Sequence, residues 1–130
     1  MRHDSTRIYQ RSLELGTLVA QVIDQLPHGY GFLADQLRRA ASSITLNFSE
    51  GFGKGTAREQ ARYFRIARGS AYEVSATLDV ANCFKVINQD HLVQGKDICD
   101  HLAAMLTKFK VAPGRVDSPQ RATRSSDSRV

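Results

Sequence analysis

The sequence has no tryptophan, only two cysteines and three prolines, and no long apolar run. Aromatic residues make up 8%, so few side chains are available as a platform on which nucleic-acid bases could stack. No stretch approaches the roughly 20 apolar residues that cross a bilayer, and the polar residues 1–7 lead into no apolar signal segment. We therefore expect no membrane association, and the cytoplasm is the expected compartment.

The two cysteines indicate neither a disulfide framework nor a zinc site. Cys83 and Cys99 form no CxxC pair and have no histidines at zinc-ligand spacing. If a helical turn lies near residue 88, the two are offset by about 7 Å along the helix axes. A disulfide usually joins Cα atoms about 4.4–6.8 Å apart. We therefore expect two free thiols that act as small buried apolar side chains.

The few prolines and a change in composition set the domain boundaries. Prolines stand only at positions 27, 113 and 119, so the residues between the first two can all be helical. From residue 113 onward the sequence is rich in Pro, Ser and Arg and shows no apolar period. We predict one domain at residues 1–112 and a flexible basic tail at residues 113–130.

Four segments carry apolar residues at steps of three and four, which is the pattern of amphipathic helices. The predicted helices cover residues 7–26, 32–50, 56–87 and 90–110. Thr56 and Glu59 have the spacing of a capping box at the start of the third helix, and Asn88 suits the cap of the fourth. Because short turns join these helices, consecutive helices pack antiparallel. The predicted fold class is therefore all-α, an antiparallel up-down four-helix bundle.

The third predicted helix is apolar over roughly 160° of its circumference, more than one core-facing stripe requires. Two seams make up this arc. The first seam consists of Phe64, Ala67, Ala71, Val74, Leu78 and Ala81, and the second seam of Tyr63, Ile66, Ser70, Thr77, Val80 and Phe84. Two interpretations remain open: a central helix that is buried on both seams, or a second seam that faces another subunit.

Positive charge is concentrated at the start of the third helix. The net charge is +5 and the pI about 9.6, and residues 51–70 alone contribute five cations against one acid. We name these cations the basic ridge: Lys54, Arg58, Arg62, Arg65 and Arg68. Spacings of four, four and three place the first four on one helix face, provided that the helix direction extends back to Lys54. Cations at a helix N-terminus oppose the helix dipole, so a phosphate backbone explains them better than stability does. The alternative is a solvated face.

Several other polar residues are given structural roles. Glu73 interrupts the apolar surface of the third helix, and we expect it to form a partly buried ion pair with Arg38 or Arg39 of the second. Asn47 and Glu50 stand near the end of the second helix and are interpreted as groups of the loop and cap. The estimated axial offset between Glu50 and Glu73 argues against a carboxylate pair for acid–base catalysis.

No motif indicates an enzyme, a cofactor or a metal. The segment at residues 51–56 is glycine-rich but lacks the spacing of a phosphate-binding loop and follows a helix. Asp97 and His101 are four residues apart, but two ligands are too few for a metal. No serine stands in a nucleophile motif. We therefore expect neither a cofactor nor a catalytic site.

Three motifs resemble a known bacterial family. They are R-R-A at residues 38–40, N-x-x-E-G-x-G at residues 47–53 and A-x-G-S-x-x-E at residues 67–73. They resemble the four-helix-bundle proteins encoded by intervening sequences within 23S rRNA genes, and the resemblance covers roughly residues 8–110. Thr45 stands where this family usually has proline.

The resemblance implies a small cytosolic bundle that assembles as a ring-like homopentamer. A structurally similar accessory protein of diversity-generating retroelements is a basic pentamer that contacts nucleic acid and reverse transcriptase. The motif positions carried over to this sequence, which mostly suit structural roles, are Arg38, Arg39, Asn47, Glu50, Gly51, Gly53, Ser70 and Glu73.

These observations lead to one functional hypothesis and two alternatives. The hypothesis is a non-enzymatic homo-oligomer, most simply a pentamer, whose basic ridge binds RNA or DNA. The first alternative is an oligomeric scaffold whose arginines meet the acidic surface of a protein partner. The second, a small-molecule binder, has no motif in its favour.

Overall fold

The computed structural model describes residues 3–109, which form four helices. They are α1 (His3–Asp24), α2 (Gly31–Phe52), α3 (Ala57–Cys83) and α4 (Gln89–Lys108). Each helix packs on the next along the chain, and α1 also packs on α4. The predicted all-α four-helix bundle is therefore confirmed. The predicted tail at residues 113–130 lies outside the described residues.

Side-chain caps define where two of the helices begin. The Thr56 hydroxyl accepts a hydrogen bond from the backbone N–H of Glu59 at 3.2 Å. At the start of α4, the Asn88 side chain accepts one from the N–H of His91 at 2.7 Å. Each bond satisfies an amide that has no partner within its helix, and both caps stand where the sequence predicted them.

The end of α3 differs from the prediction, because the helix stops at Cys83 instead of continuing to about residue 87. The N–H of Val86 donates to the carbonyl of Ala81, and the N–H of Lys85 to that of Asn82, each at 3.0 Å. This pair of bonds is the Schellman motif, which needs a residue with positive φ after the cap. Lys85 supplies it with a φ of 61°.

The core lies between the four helices and is closed at one end by aromatic rings. All six residues of the first seam are buried. The ring of Phe64 lies 5.4 Å from that of Phe48 and 5.2 Å from that of Phe109, measured between centroids. Such separations are typical of favourable aromatic pairs. These ring contacts fix the relative positions of α2, α3 and the end of α4.

Two glycines allow helices to approach closely. A Cβ at Gly51 would lie 2.8 Å from both Phe64 and Tyr63 of α3, and one at Gly95 would lie 2.6 Å from Leu78. The motif N-x-x-E-G-x-G thus places a glycine where the start of α3 packs against α2. At position 45, the threonine hydroxyl donates to the Ser12 hydroxyl of α1 at 2.8 Å, and α2 continues through this point.

The second seam is only partly covered by the bundle. Ser70 and Thr77 are buried, whereas Ile66, Val80 and Phe84 are 40%, 41% and 50% exposed. A single bundle therefore buries the first seam entirely and leaves apolar surface along the second. Within residues 3–109, no helix combines the length and the apolarity that a membrane span requires.

Candidate nucleic-acid interface

The basic ridge lies on the outward face of the first turns of α3. Arg58, Arg62 and Arg65 are exposed there, on the side of the helix opposite the centre of the buried first seam. From Arg58 to Arg65 the helix rises about 10.5 Å. The three arginines therefore extend from one face of about two helical turns.

The ridge differs from the sequence expectation at Lys54, which lies outside the helix. Because α3 begins at Ala57 after the Thr56 cap, helical spacing cannot place Lys54 on the same face as the arginines. Instead, the ring of Tyr63 contacts both Lys54 and Arg62. The Lys54 ammonium lies 5.3 Å from the centroid of the Tyr63 ring, and the Arg62 guanidinium carbon lies 5.0 Å from the same centroid.

The charge of Lys54 is balanced by a neighbouring carboxylate. Its Nζ lies 2.8 Å from the Glu50 carboxylate, and this hydrogen bond, together with the charge of Glu50, raises the pKa of Lys54 above its usual value. Lys54 therefore remains protonated, but an anion must compete with Glu50 for it. Glu50, which was predicted to be a group of the loop and cap, therefore competes with an anion for Lys54 at this end of the ridge.

Arg68 forms the other end of the ridge, on the side facing α4. Its guanidinium donates to the Thr107 hydroxyl at 3.2 Å, so the ridge reaches the last turn of α4. Arg62 and Arg65 stand in the middle of the ridge and differ from Lys54 and Arg68 in their partners. Within residues 3–109, neither forms an ion pair with an acidic side chain. Exposed, unbalanced cations on one face can bind an extended anion.

The remaining motif residues connect α2 to α3. Glu73 is paired with Arg39 at 3.4 Å, with side chains 36% and 65% exposed, and Gln36 also donates to its carboxylate. Glu73 is therefore partly buried, as the sequence predicted, whereas the side chain of its partner Arg39 is largely exposed. Arg38 instead lies 3.4 Å from Asp35 of its own helix.

A hydroxyl contact that the sequence did not suggest lies at the same interface. The Asn47 amide donates to both the carbonyl and the hydroxyl of Ser43, each at 2.9 Å, and the Ser70 hydroxyl donates to the Ser43 hydroxyl at 2.8 Å. Asn47 and Ser70 of the motifs therefore meet through Ser43, which helical periodicity alone does not single out.

Two further places in the bundle hold polar groups or space relevant to ligand binding. Arg11 donates from Nε to Nδ1 of His101 at 3.1 Å and lies 3.8 Å from Asp97, so a cation stands where a metal would bridge these residues. Among the described residues, no group of three potential metal ligands exists. An open groove of about 800 Å³ between α1 and α2 is lined mainly by apolar and small side chains, with Asp24 and Arg38 as its charged groups.

Comparisons with known proteins give a family and a fold. The model of the family described as 23S rRNA-intervening sequence protein matches residues 4–108. Among solved structures, the chain is similar to a protein of unknown function from the S23 ribosomal protein family of Bacteroides thetaiotaomicron. The TM-score is 0.70 at 17% identity, covering 76% of this chain and 94% of that one. At this identity the similarity concerns the fold alone. No curated protein matches the chain, and neither description names an enzymatic activity.

Proposed function

The chain belongs to the 23S rRNA-intervening sequence protein family, and from this premise we propose that it is a non-enzymatic, cytoplasmic homo-oligomer that binds nucleic-acid backbone through its basic ridge. The pentamer is the oligomer that the sequence resemblance implies. The observation that carries the proposal is the pair Arg62 and Arg65, which are exposed and, within the described chain, have no acidic partner. Arginine at such positions suits phosphate recognition because its planar fork can donate two hydrogen bonds.

The stability of the fold does not explain why arginines stand at the start of α3. Arg58 and Arg62 stand in the first two turns of α3, where the helix dipole favours anions. A bound phosphate backbone would bring negative charge to this part of the helix. Contacts to the backbone carry no sequence information, so we expect RNA and single-stranded DNA of any sequence to bind.

The dependence of affinity on salt tests this proposal. Each phosphate contact adds about 0.7 to the slope of log K against log salt for a single strand. Replacement of Arg58, Arg62 and Arg65 by glutamine should therefore lower the slope by about 2, since three contacts are lost. Glutamine has a helix propensity close to that of arginine, so the bundle should remain intact.

A matched control separates the ridge from net charge. Arg38→Gln, Arg39→Gln and Lys85→Gln remove the same charge at exposed positions away from the ridge, and this variant should keep the parental slope. If the ridge variant binds RNA and single-stranded DNA as tightly as the parent, the ridge is only a solvated face and the proposed function is wrong.

A second candidate function is supported by an exposed aromatic cluster. The rings of Tyr30, Phe32 and Phe84 lie within 6.0 Å of one another, and the two phenylalanines are 56% and 50% exposed. Exposed aromatic clusters are typical of protein interfaces. An oligomeric scaffold for a protein partner would use this surface, and it would bind its partner equally well after loss of the ridge arginines.

A further inference from the structure

A glutamine side chain is buried at the start of α3, next to the basic ridge. Gln60 is 2% exposed and stands in the first turn of the helix. Its Nε2 donates to the backbone carbonyl of Lys54 at 2.7 Å. Its Oε1 is buried as well, and within residues 3–109 it accepts no hydrogen bond. Because a buried acceptor without a donor lowers the stability of a fold, the packing of the core does not explain a glutamine at this position.

The carbonyl that Gln60 contacts belongs to the turn between α2 and α3. Lys54 stands there between Gly53 and Gly55, and glycine leaves the backbone more freedom than other residues do. The N–H of Lys54 donates to the carbonyl of Gly51 of α2 at 3.1 Å, while its own carbonyl accepts the bond from Gln60 of α3. These two bonds attach the backbone of Lys54 to both helices, and the second depends on the glutamine side chain.

The position of this turn determines where the Lys54 ammonium can reach. Since α3 begins at Ala57, the helix itself does not carry Lys54 to the ridge. The ammonium nevertheless lies 5.3 Å from the centroid of the Tyr63 ring, and the Arg62 guanidinium carbon lies 5.0 Å from the same centroid. The two charges are therefore within about 10 Å of each other. Salt screens charges only partly over this distance, so both attract an anion bound at the start of α3.

We propose that Gln60 is a positioning residue of the nucleic-acid interface: its amide holds the α2–α3 turn so that Lys54 lies beside the arginines of the ridge. This inference rests on the proposed function and extends it to a buried residue that the nucleic acid does not contact. Methionine or leucine would fill the same space without an unpaired oxygen, but neither can donate to the turn. Polar groups that are kept at a cost in stability are typical of functional sites.

Binding of a single-stranded RNA of mixed sequence at several salt concentrations tests this inference. Gln60→Met keeps the length of the side chain but removes its amide, so the turn loses its bond to α3 while the core stays filled. The slope of log K against log salt should fall by about 0.7, the value of one phosphate contact. Lys54→Gln should lower the slope by the same amount. The double variant should lower it no further, because both changes remove the same contact.

A matched control separates the positioning of Lys54 from the loss of any buried polar group. Thr77 is also buried on α3, and its hydroxyl donates to the carbonyl of Glu73 in the same helix at 2.8 Å. Thr77→Val removes this hydroxyl away from the turn and should leave the salt slope unchanged. The thermal unfolding midpoint of Gln60→Met should stay close to that of the parent, since one hydrogen bond and one unpaired buried oxygen are lost together.

The outcomes distinguish this inference from the proposed function. An equal loss of slope in Gln60→Met, Lys54→Gln and the double variant, with none in the control, supports the inference. An unchanged slope in either single variant, while loss of the ridge arginines lowers it, overturns the inference and leaves the function intact. A double variant that loses the sum of the two single effects also overturns it, because Gln60 then acts without Lys54.

Gln60→Leu replaces Gln60→Met if the methionine variant does not fold. If neither variant folds, the bundle itself requires the glutamine, its role is structural, and the inference is wrong. A parent protein that binds no RNA overturns both proposals.

Discussion

At the residue scale, the two cysteine thiols are expected to differ in reactivity because only one of them is buried. Both cysteines are free, as the sequence predicted, but Cys83 is exposed and Cys99 is buried. Burial raises the pKa of the Cys99 thiol to about 12, with a smaller contribution from the negative charge of Asp100. The thiolate is the form that reacts with alkylating reagents. At pH 8 Cys99 is therefore both protonated and shielded.

We predict that iodoacetamide at pH 8 modifies one cysteine in the native protein and two in denaturant, as counted by mass spectrometry without a reducing agent. Cys83→Ser serves as the control and should take up no label while folded. Rapid modification of two cysteines in the native protein would show that the part of α4 around Cys99 opens readily. A single label in denaturant would indicate a disulfide.

The pair between Arg39 and Glu73 leads to a second prediction at this scale. Solvent reaches both side chains, and exposed ion pairs contribute about 0–1 kcal/mol. Glu73→Ala should therefore lower the free energy of unfolding by less than about 1 kcal/mol, as measured by urea denaturation. A loss near 3 kcal/mol would be the signature of a buried charge left without its partner. Glu73→Gln, which retains the shape of the side chain, separates packing from charge.

At the scale of the element, the end of α3 offers a stabilising substitution. Lys85 has a positive φ of 61°, a conformation that costs a residue with a side chain about 1–2 kcal/mol. Glycine adopts this φ without that cost but loses more backbone entropy on folding. Lys85→Gly should therefore stabilise the protein by up to about 1 kcal/mol, the difference between these effects. The thermal unfolding midpoint reports this change.

Alanine at the same position provides the control. Lys85→Ala removes the same ammonium group but retains a Cβ, so it should not raise the midpoint. If alanine and glycine stabilised the protein equally, the effect would come from the lost charge and not from the backbone conformation.

Whether the start or end of a helix can be predicted depends on whether the residues at that point carry a recognisable sequence signal. The starts of α3 and α4 follow from the local chemistry of Thr56 and Asn88, which a sequence displays. The end of α3 does not, because lysine is an unusual residue for the left-handed position and residues 84–87 contain no glycine or proline. Helical periodicity continues past Cys83 in the sequence, whereas the backbone turns at Lys85.

The candidate interface was predictable to a similar degree. Spacing alone places Arg58, Arg62 and Arg65 on one face of α3. It cannot reveal that Arg68 turns toward Thr107, because this contact joins two helices and depends on how they pack. The contact between Glu50 and Lys54 is local, since these residues are four apart, and the spacing of a Glu–Lys pair could have indicated it.

At the scale of the whole molecule, the apolar surface on α3 bears on assembly. Ile66, Val80 and Phe84 of the second seam remain 40–50% exposed, and Phe84 belongs to the aromatic cluster with Tyr30 and Phe32. Exposed apolar side chains that are grouped on one surface favour association. Val80 and Phe84 lie at the end of α3, past the last residue of the basic ridge, so contacts between copies there would leave each basic ridge accessible.

We predict that the protein is an oligomer at micromolar concentration, with a mass by light scattering of several times the 14.4 kDa of one chain. Replacement of Val80 and Phe84 by glutamine should shift the mass toward one chain, because polar groups at both positions weaken apolar contacts between copies. Neither side chain is part of the buried core, so the helical circular dichroism should be retained.

Ser42→Gln, at an exposed position on α2, is the control. A parent protein that scatters as a single chain would contradict the prediction. Each ridge would then bind nucleic acid alone, with the affinity of one set of arginines.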